Sequence, residues 1–436
     1  MSTKRIYIVL ICCLFPFLLG AQQLLSLEQC REMALANNKE SAIAQQTQEK
    51  AGYDVKAYRA NFLPMFSANG TYLFSSSKFK KDITFPAELS FIPDIPIELG
   101  LNNTFIAGVS AEQPLYMGGK IRAAYRMSTI GKEMSESNRE LTRTEVIMQT
   151  DEAYWTCIKV RELHLSALKY KEVVEELLRN VENARAVGLK QRNDVLKVQV
   201  KLNEAELQLR RAENAIRLAR MNLCHTIGLP LNSPVIVSES FPEPTSINSE
   251  PTADISLRPE FELLSKQIDL KQQEIKLTRS DFLPSVGVRG SYNYYDGLKF
   301  NGDKLLEKGG FSALISVSIP LFEWGKGYNK VKAARVEENI AKLRKMDAEE
   351  KMSLEVAQAM NALDEAYLET ALTAHSLEQA EENMKVSKNM YESGMETLAD
   401  HLEAQTVWQK AKTELINAQA SLQICKTSYR KAAGKL

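Results

Sequence analysis

The sequence predicts a mainly α protein with a β-barrel portion, and three patterns predict it. Heptad stripes call for long helical hairpins, four separate runs alternate with period two, and the whole arrangement occurs twice in the chain. The stripe is clearest where apolar residues fall at Val195, Val198, Leu202, Ala205, Leu209, Ala212, Ile216, Ala219 and Leu223. The steps alternate three and four, and the alanines imply close helix approach. A tight turn at Val187-Gly188-Leu189 separates this helix from a longer one opening at Lys120.

Composition sets the bounds. The chain has 436 residues, 44% hydrophobic and 25% charged, ample for a large core and unlike a disordered chain. A formal net charge of +0 gives no basis for nucleic-acid binding. Lys4 and Arg5, the apolar run from Ile6 to Leu19, and Gly20-Ala21-Gln22 form a secretory signal, assigned to residues 1–21. That run is too short for a spanning helix, and no later stretch holds eighteen consecutive apolar residues. Cys12 and Cys13 lie inside it and no lipobox cysteine follows, so no lipid anchor is expected.

Cys30, Cys157, Cys224 and Cys425 remain, without metal spacing. They read as isolated small core residues, with a Cys224–Cys425 bridge as the alternative. His164, His225, His375 and His401 are scattered one per helix, so no metal site and no cofactor are expected.

In chain order, a first repeat covers residues 22–230. Ser26 is placed to cap a helix running to about Asn37, and a second helix spans about Glu40 to Asn61 before Pro64 stops it. Strands follow at 65–75 and 104–113, with one apolar and one polar face. Between them Ser75 to Asn103 reads as a long loop carrying Lys78, Lys80, Lys81, Pro86, Pro93 and Pro96. Gly118-Gly119-Lys120 opens a helix of about 68 residues, roughly 100 Å at 1.5 Å per residue, too long for a globule. Its tip is at Gly188. A Pro/Ser-rich linker occupies 231–252, with a short strand at Val235-Ile236-Val237.

The second repeat is 253–436, with strands at 285–295 and 311–320 and a tip at Gly394. Arg59-Ala60-Asn61-Phe62-Leu63-Pro64 matches Arg279-Ser280-Asp281-Phe282-Leu283-Pro284, 220 positions on. From Gly119-Lys120 against Gly325-Lys326 the offset is 206, because the second strand–strand loop is shorter. It holds for Gly188 with Gly394, Asp194 with Asp400 and Gly228 with Gly434. Asp151-Glu152-Ala153-Tyr154 resembles Asp364-Glu365-Ala366-Tyr367 one heptad out of step, a displacement a coiled coil permits or a chance likeness.

Ten tilted residues is the length that crosses an outer membrane as strand, and lipid tolerates no open sheet edge. Four strands cannot close a barrel, so the chain is expected to oligomerise. The competing architecture is a soluble β-sandwich on a coiled-coil stalk.

The repeat, with Phe-Leu-Pro before strands and Gly-Lys after them, resembles the TolC family of outer-membrane efflux and secretion channels, from Leu24 to Leu436. The resemblance implies a homotrimer with a shared twelve-stranded barrel in the outer membrane of a Gram-negative bacterium and a periplasmic tunnel of helices. It implies an exit duct, its tip meeting a periplasmic adaptor (membrane fusion) protein joined to an inner-membrane pump. The alternative function is a periplasmic coiled-coil adaptor or scaffold without a pore. A diffusion porin would need many more strands per chain.

The resemblance places Val187, Gly188, Leu189, Ser393, Gly394 and Met395 at adaptor-contacting tips, while a glycine at a helix reversal equally serves as a plain left-handed cap. It places Asp400 and Glu403 at the periplasmic entrance gate, where the family carries two aspartates. Taken alone, two acids three apart on a helix are usually a solvated face. Six carboxylates around a narrow opening would favour cations. The family latches the closed tip through a Tyr and an Arg reaching an Asp. Tyr391 and Asp194 match, but Glu396 stands at the Arg position, and the expectation is a more easily opened tip. No nucleophile–base arrangement is present, so no catalysis is expected. Drug, metal and protein cargo share this pattern, and no His- or Met-rich stretch marks metal.

Overall fold

The computed structural model describes residues 23–75, 78–87, 91, 93, 95–100, 104–243, 251–297, 299–301, 303–304 and 309–436. The expected signal, 1–21, lies outside the described residues, as does 244–250 of the linker. The first repeat comprises β1 (Gln23–Leu25), α1 (Leu27–Asn37), α2 (Lys39–Ala60), β2 (Met65–Leu73), β3 (Lys78–Ile83), β4 (Ile95–Gly100), β5 (Thr104–Met117), α3 (Lys120–Ala186) and α4 (Arg192–Thr226). Then come β6 (Val235–Val237), α5 (Pro259–Ser280), β7 (Ser285–Asp296), β8 (Lys299–Phe300), β9 (Asp303–Lys304), β10 (Gly310–Ser318), α6 (Lys326–Glu392) and α7 (Leu398–Ala432). Two compact units result: one of residues up to Gln48, Glu136–Leu263 and Lys345–Leu436, the other of Glu49–Ser135 and Leu264–Arg344. The two 67-residue helices, α3 and α6, contribute to both.

In the helical unit, Ser26 starts α1 with a capping box: its Oγ accepts from the Gln29 N–H at 3.3 Å, and Gln29 Oε1 accepts from the Ser26 N–H at 3.0 Å. β1 pairs in parallel with β6, tying the N-terminal segment to the linker between repeats. Leu25, Val235 and Val237 from these strands close a core with Cys30, Tyr154, Trp155, Ile158, Leu223 and Cys224. Beside it Asp151 is buried and held by Arg31, whose Nε and Nη2 donate at 2.7 and 2.6 Å, and by Thr427 Oγ1 at 2.6 Å. Asp364 is exposed, so its motif does not repeat the Asp151 environment.

The Cys224–Cys425 bridge is not formed. All four cysteines are free, with Cys224 in the core just described and Cys425 against the separate cluster of Leu363, Leu422 and Tyr429. Burial pushes the Cys30 and Cys157 thiols up to about 12, so they behave as apolar filler.

In the strand unit β2, β5, β7 and β10 form one antiparallel sheet in the order β10-β7-β5-β2. The register sorts its faces. Phe66, Ala111, Gly290 and Ala313 stand side by side on one face, followed by Ala68, Val109, Tyr292 and Phe311. The opposite face carries Ser67, Ser110, Ser291 and Ser312 at a single level, one serine per strand, with Oγ–Oγ distances of 2.9 Å for Ser67–Ser110 and 2.8 Å for Ser291–Ser312. Phe311 on the apolar face is 76% exposed, and β2 and β10 have no outer strand partner among the described residues. One copy of the chain therefore leaves both an apolar face and two sheet edges unsatisfied.

The expected loop from Ser75 to Asn103 is corrected. It contains the β3–β4 hairpin, continued by β8 and β9 into a second sheet of order β3-β4-β8-β9. Prolines and lysines concealed it. Pro96 is tolerated because β4 reaches β8 only at Leu99 and Gly100, leaving Pro96 beside β3 alone. Lys80 instead pairs across the hairpin with Glu98 at 3.1 Å.

At the foot of the large sheet, Gly118 has φ +59 and approaches the end of α5 so closely that a Cβ would stand 2.7 Å from both Leu283 Cβ and Ser280 O. The Gly118-Gly119 turn thereby seats β5 and α3 against the turn from α5 into β7.

Candidate functional site at the hairpin tips

Both tips are built alike. α3 ends with Gly188 at φ +81, its N–H donating to Arg185 O at 2.9 Å and the Leu189 N–H to Ala184 O at 2.9 Å. α6 ends with Gly394 at φ +77, where the Gly394 N–H reaches Tyr391 O at 3.1 Å and the Met395 N–H reaches Met390 O at 2.8 Å. Each is a Schellman cap, which requires a left-handed residue and so selects glycine. The caps push apolar side chains outward: Leu189 is 77% exposed, and Val187 and Met395 stand out similarly. Ser393 Oγ donates back to Asn389 O and Met390 O at 2.9 and 3.0 Å, closing the last turn of α6.

The returning helices also begin alike. Asp194, in the first turn of α4, accepts from the Gln191 N–H at 3.2 Å. Asp400, its counterpart 206 positions on, accepts from Thr397 Oγ1 at 2.6 Å, and the Asp400 N–H donates to that same hydroxyl at 3.3 Å. Asp194 accepts the N-cap N–H of α4, whereas at α7 Thr397 is the cap and Asp400 braces its hydroxyl; both carboxylates lie at the positive end of a helix dipole. Glu403, one turn into α7, is exposed and has no partner among the described residues. Support of the Thr397 cap accounts for Asp400 but not for Glu403.

Tyr391 and Asp194 lie close enough for the Asp194 charge to help raise the phenol, behind the larger effect of burial. Glu396 keeps different company. Its Oε2 is shielded from water without a hydrogen-bond partner, and its charge acts on His401. The Asp194 charge thus reaches Tyr391, and the Glu396 charge reaches His401.

Sequence reasoning set His401 aside, yet it is the centre of a buried polar chain. Its Nδ1 lies 3.0 Å from Ser387 Oγ and its Nε2 lies 3.0 Å from Gln405 Nε2, linking α6 to α7. Burial pushes the His401 pKa down; Glu396 and Glu392 oppose this and Lys388 adds to it. The signal was available: Leu398, His401, Leu402 and Gln405 share one face of α7 at helical spacing, and all four are buried. Lys190, from the other tip, lies 4.6 Å over the Tyr391 ring.

Around these residues the two hairpins enclose a groove of about 580 Å³ lined by Leu189, Lys190, Lys388, Tyr391, Gly394 and His401. Lys388 crosses it to Glu176 at 3.6 Å. Below the groove Val174, Leu177, Val195 and Val198 pack with Leu398 and Leu402. No group of residues suited to a metal ion occurs among the described residues. No described helix is long and apolar enough to cross a membrane.

A sequence model described as "Outer membrane efflux protein" matches residues 30–229 and 255–435. The chain is 23% identical over 338 residues to the pyoverdine export outer membrane protein OpmQ of Pseudomonas aeruginosa, covering 76% of this chain and 70% of that one. It is 22% identical over 348 residues to the alkaline protease secretion protein AprF of the same organism, covering 77% and 69%. Its fold is similar to that of the Campylobacter jejuni CmeC outer membrane channel, with a TM-score of 0.75 at 20% identity over 94% of this chain and 85% of that one.

Proposed function

Because the chain belongs to the outer membrane efflux protein family, we propose that three copies close into one channel, the exit duct of a tripartite efflux or type I secretion system. The observation that carries this reading is the sheet with an apolar face, a serine-lined face and two open edges. Three four-stranded sheets joined edge to edge give twelve strands, within the range of outer-membrane barrels, and leave no edge in lipid. The apolar face then meets lipid and the serine face lines the pore. The helical hairpins form the periplasmic tunnel, and substrate passes from an inner-membrane pump through it.

The outward Val187, Leu189 and Met395 fit a contact with a periplasmic adaptor, because exposed apolar side chains on rigid caps favour burial against a partner. Asp400 and Glu403 form the entrance gate, with Glu403 free to face the opening and Asp400 fixed at the helix start. Asp194 and Tyr391 act as the tip latch. Glu396, a carboxylate where the family resemblance calls for a cation, does not reinforce it, so the entrance opens more readily. The names of OpmQ and AprF cover a small-molecule export and a protease secretion role, so both cargo classes stay within the reading.

Single-channel conductance in a planar bilayer tests this. A small, cation-selective conductance that loses its selectivity in Asp400→Ala/Glu403→Ala supports both pore and gate. Conductance indifferent to the substitutions keeps the pore and removes the gate assignment. Folded protein without conductance sends the reading to the scaffold alternative.

A further inference from the structure

We propose that the foot of the strand unit holds an anionic phospholipid of the periplasmic leaflet, its phosphate between α3 and α5. This rests on the outer-membrane reading, not on the gate. A cavity of about 790 Å³ there is lined by Arg122 and Arg126 of α3, Lys276 and Arg279 of α5, and the apolar Phe62 and Leu283. No carboxylate lines it. Arg126 has a distant partner in Glu133 at 3.8 Å, while Arg122, Lys276 and Arg279 have none among the described residues. The neighbouring Lys120 is already neutralised by Asp281 at 2.9 Å.

The ring of Phe62 packs edge-on against Tyr125, with centroids 5.7 Å apart, giving the cavity an aromatic wall. Four cations over such a wall suit an amphiphile with an anionic head better than a small free anion.

The level agrees independently. The cavity begins where the sheet stops: β5 ends at Met117, and β2 and β7 begin at Met65 and Ser285. In the second repeat the counterpart of Gly118 is Trp324, 88% exposed and 4.9 Å from the Phe322 ring. Exposed Trp and Phe in the link between β10, which ends at Ser318, and α6, which starts at Lys326, mark the membrane–water boundary, the depth at which lipid phosphates lie.

The test is native mass spectrometry of the full-length protein released from nanodiscs of phosphatidylethanolamine and phosphatidylglycerol. We expect phosphatidylglycerol to be retained preferentially, and retention to fall about fivefold in Arg122→Gln/Arg279→Gln. Lys351→Gln/Lys410→Gln, which removes the same charge elsewhere, should leave it unchanged. If the double variant does not fold, Arg122→Gln and Arg279→Gln singly are read by the same ratio. Equal retention of the two lipids, equal retention by the cavity variants, or displacement of the lipid by inorganic phosphate overturns the proposal. Bilayer conductance of the same preparations separates the two readings: a conducting protein without lipid preference sinks this one alone, and lipid preference without conductance sinks the pore.

Discussion

Tyr391 and His401 lie ring on ring, with centroids 5.1 Å apart and planes 4° from parallel. The stack joins the end of α6 to the start of α7, so the second tip is braced by a titratable group. Burial holds the His401 pKa below its ordinary value, which means the folded tip binds a proton less readily than the unfolded chain.

The sign follows by linkage. Above about pH 6.5 both states are neutral at this residue and the contribution is full; as pH falls from there towards the depressed folded value, stability is lost. Amide exchange of residues 398–405, corrected for intrinsic rates, should therefore quicken between about pH 7.5 and 5.5. His401→Gln should flatten that dependence. Glu396, Glu392 and Lys388 act on the imidazole, and Lys190 lies over the Tyr391 ring stacked on it, so the same series in Glu396→Gln should show a larger loss, since one of the carboxylates that favour the charged imidazole is gone. A pH-independent exchange rate in the native protein would remove His401 from this role.

Glu396→Arg should lower the closed-state conductance. The substitution supplies the cation that the family uses in its latch, in a segment that already brings Tyr391 towards Asp194. Conductance unchanged or raised would show that Glu396 does not weaken the closed tip.

The left-handed glycines should rank by their surroundings. Gly188→Ala and Gly394→Ala meet nothing within 4 Å and suffer only the backbone cost of about 1–2 kcal/mol. Gly118→Ala carries the same backbone cost plus the 2.7 Å overlaps with Leu283 and Ser280, so of these three its melting temperature should fall furthest. Equal shifts for Gly118 and Gly188 would contradict the close seating at the sheet foot.

Arg31→Met should destabilise the helical unit by about 3–5 kcal/mol, because it strands the buried Asp151 carboxylate. The double replacement Arg31→Met/Asp151→Leu should recover most of that loss. Thermal unfolding of the two variants side by side checks it, and a double no better than the single refutes it.

Much of this architecture is legible in the chain because a few positions obey hard constraints. A sheet with one apolar face must alternate, so Val286, Val288 and Tyr292 announce β7. A Schellman cap admits little but glycine, so Gly188 and Gly394 announce the tips. What escaped reading depends on partners distant in sequence. Arg31 and Asp151 are 120 residues apart, and Ser387 finds His401 only once α6 and α7 have closed together. The β3–β4 hairpin escaped because Lys80 and Pro96 carry the composition of a loop, and its ladder satisfies them anyway. Among the site residues, Glu396 was read by its counterpart in the family. The reach of its charge to His401 is visible only in three dimensions.

The level row of Ser67, Ser110, Ser291 and Ser312 bears on what the proposed barrel would do to its cargo. Repeated around a closed wall, it becomes an unbroken belt of hydroxyls, each able to give or accept a hydrogen bond as a water molecule does. A passenger shedding its hydration there would exchange water for hydroxyl, while Arg289, which donates to Ser110 Oγ at 3.5 Å, adds a positive charge to the same face. Such a belt acts as a lubricated sleeve for neutral passengers, with the Arg289 charge beside it to tell anions from cations.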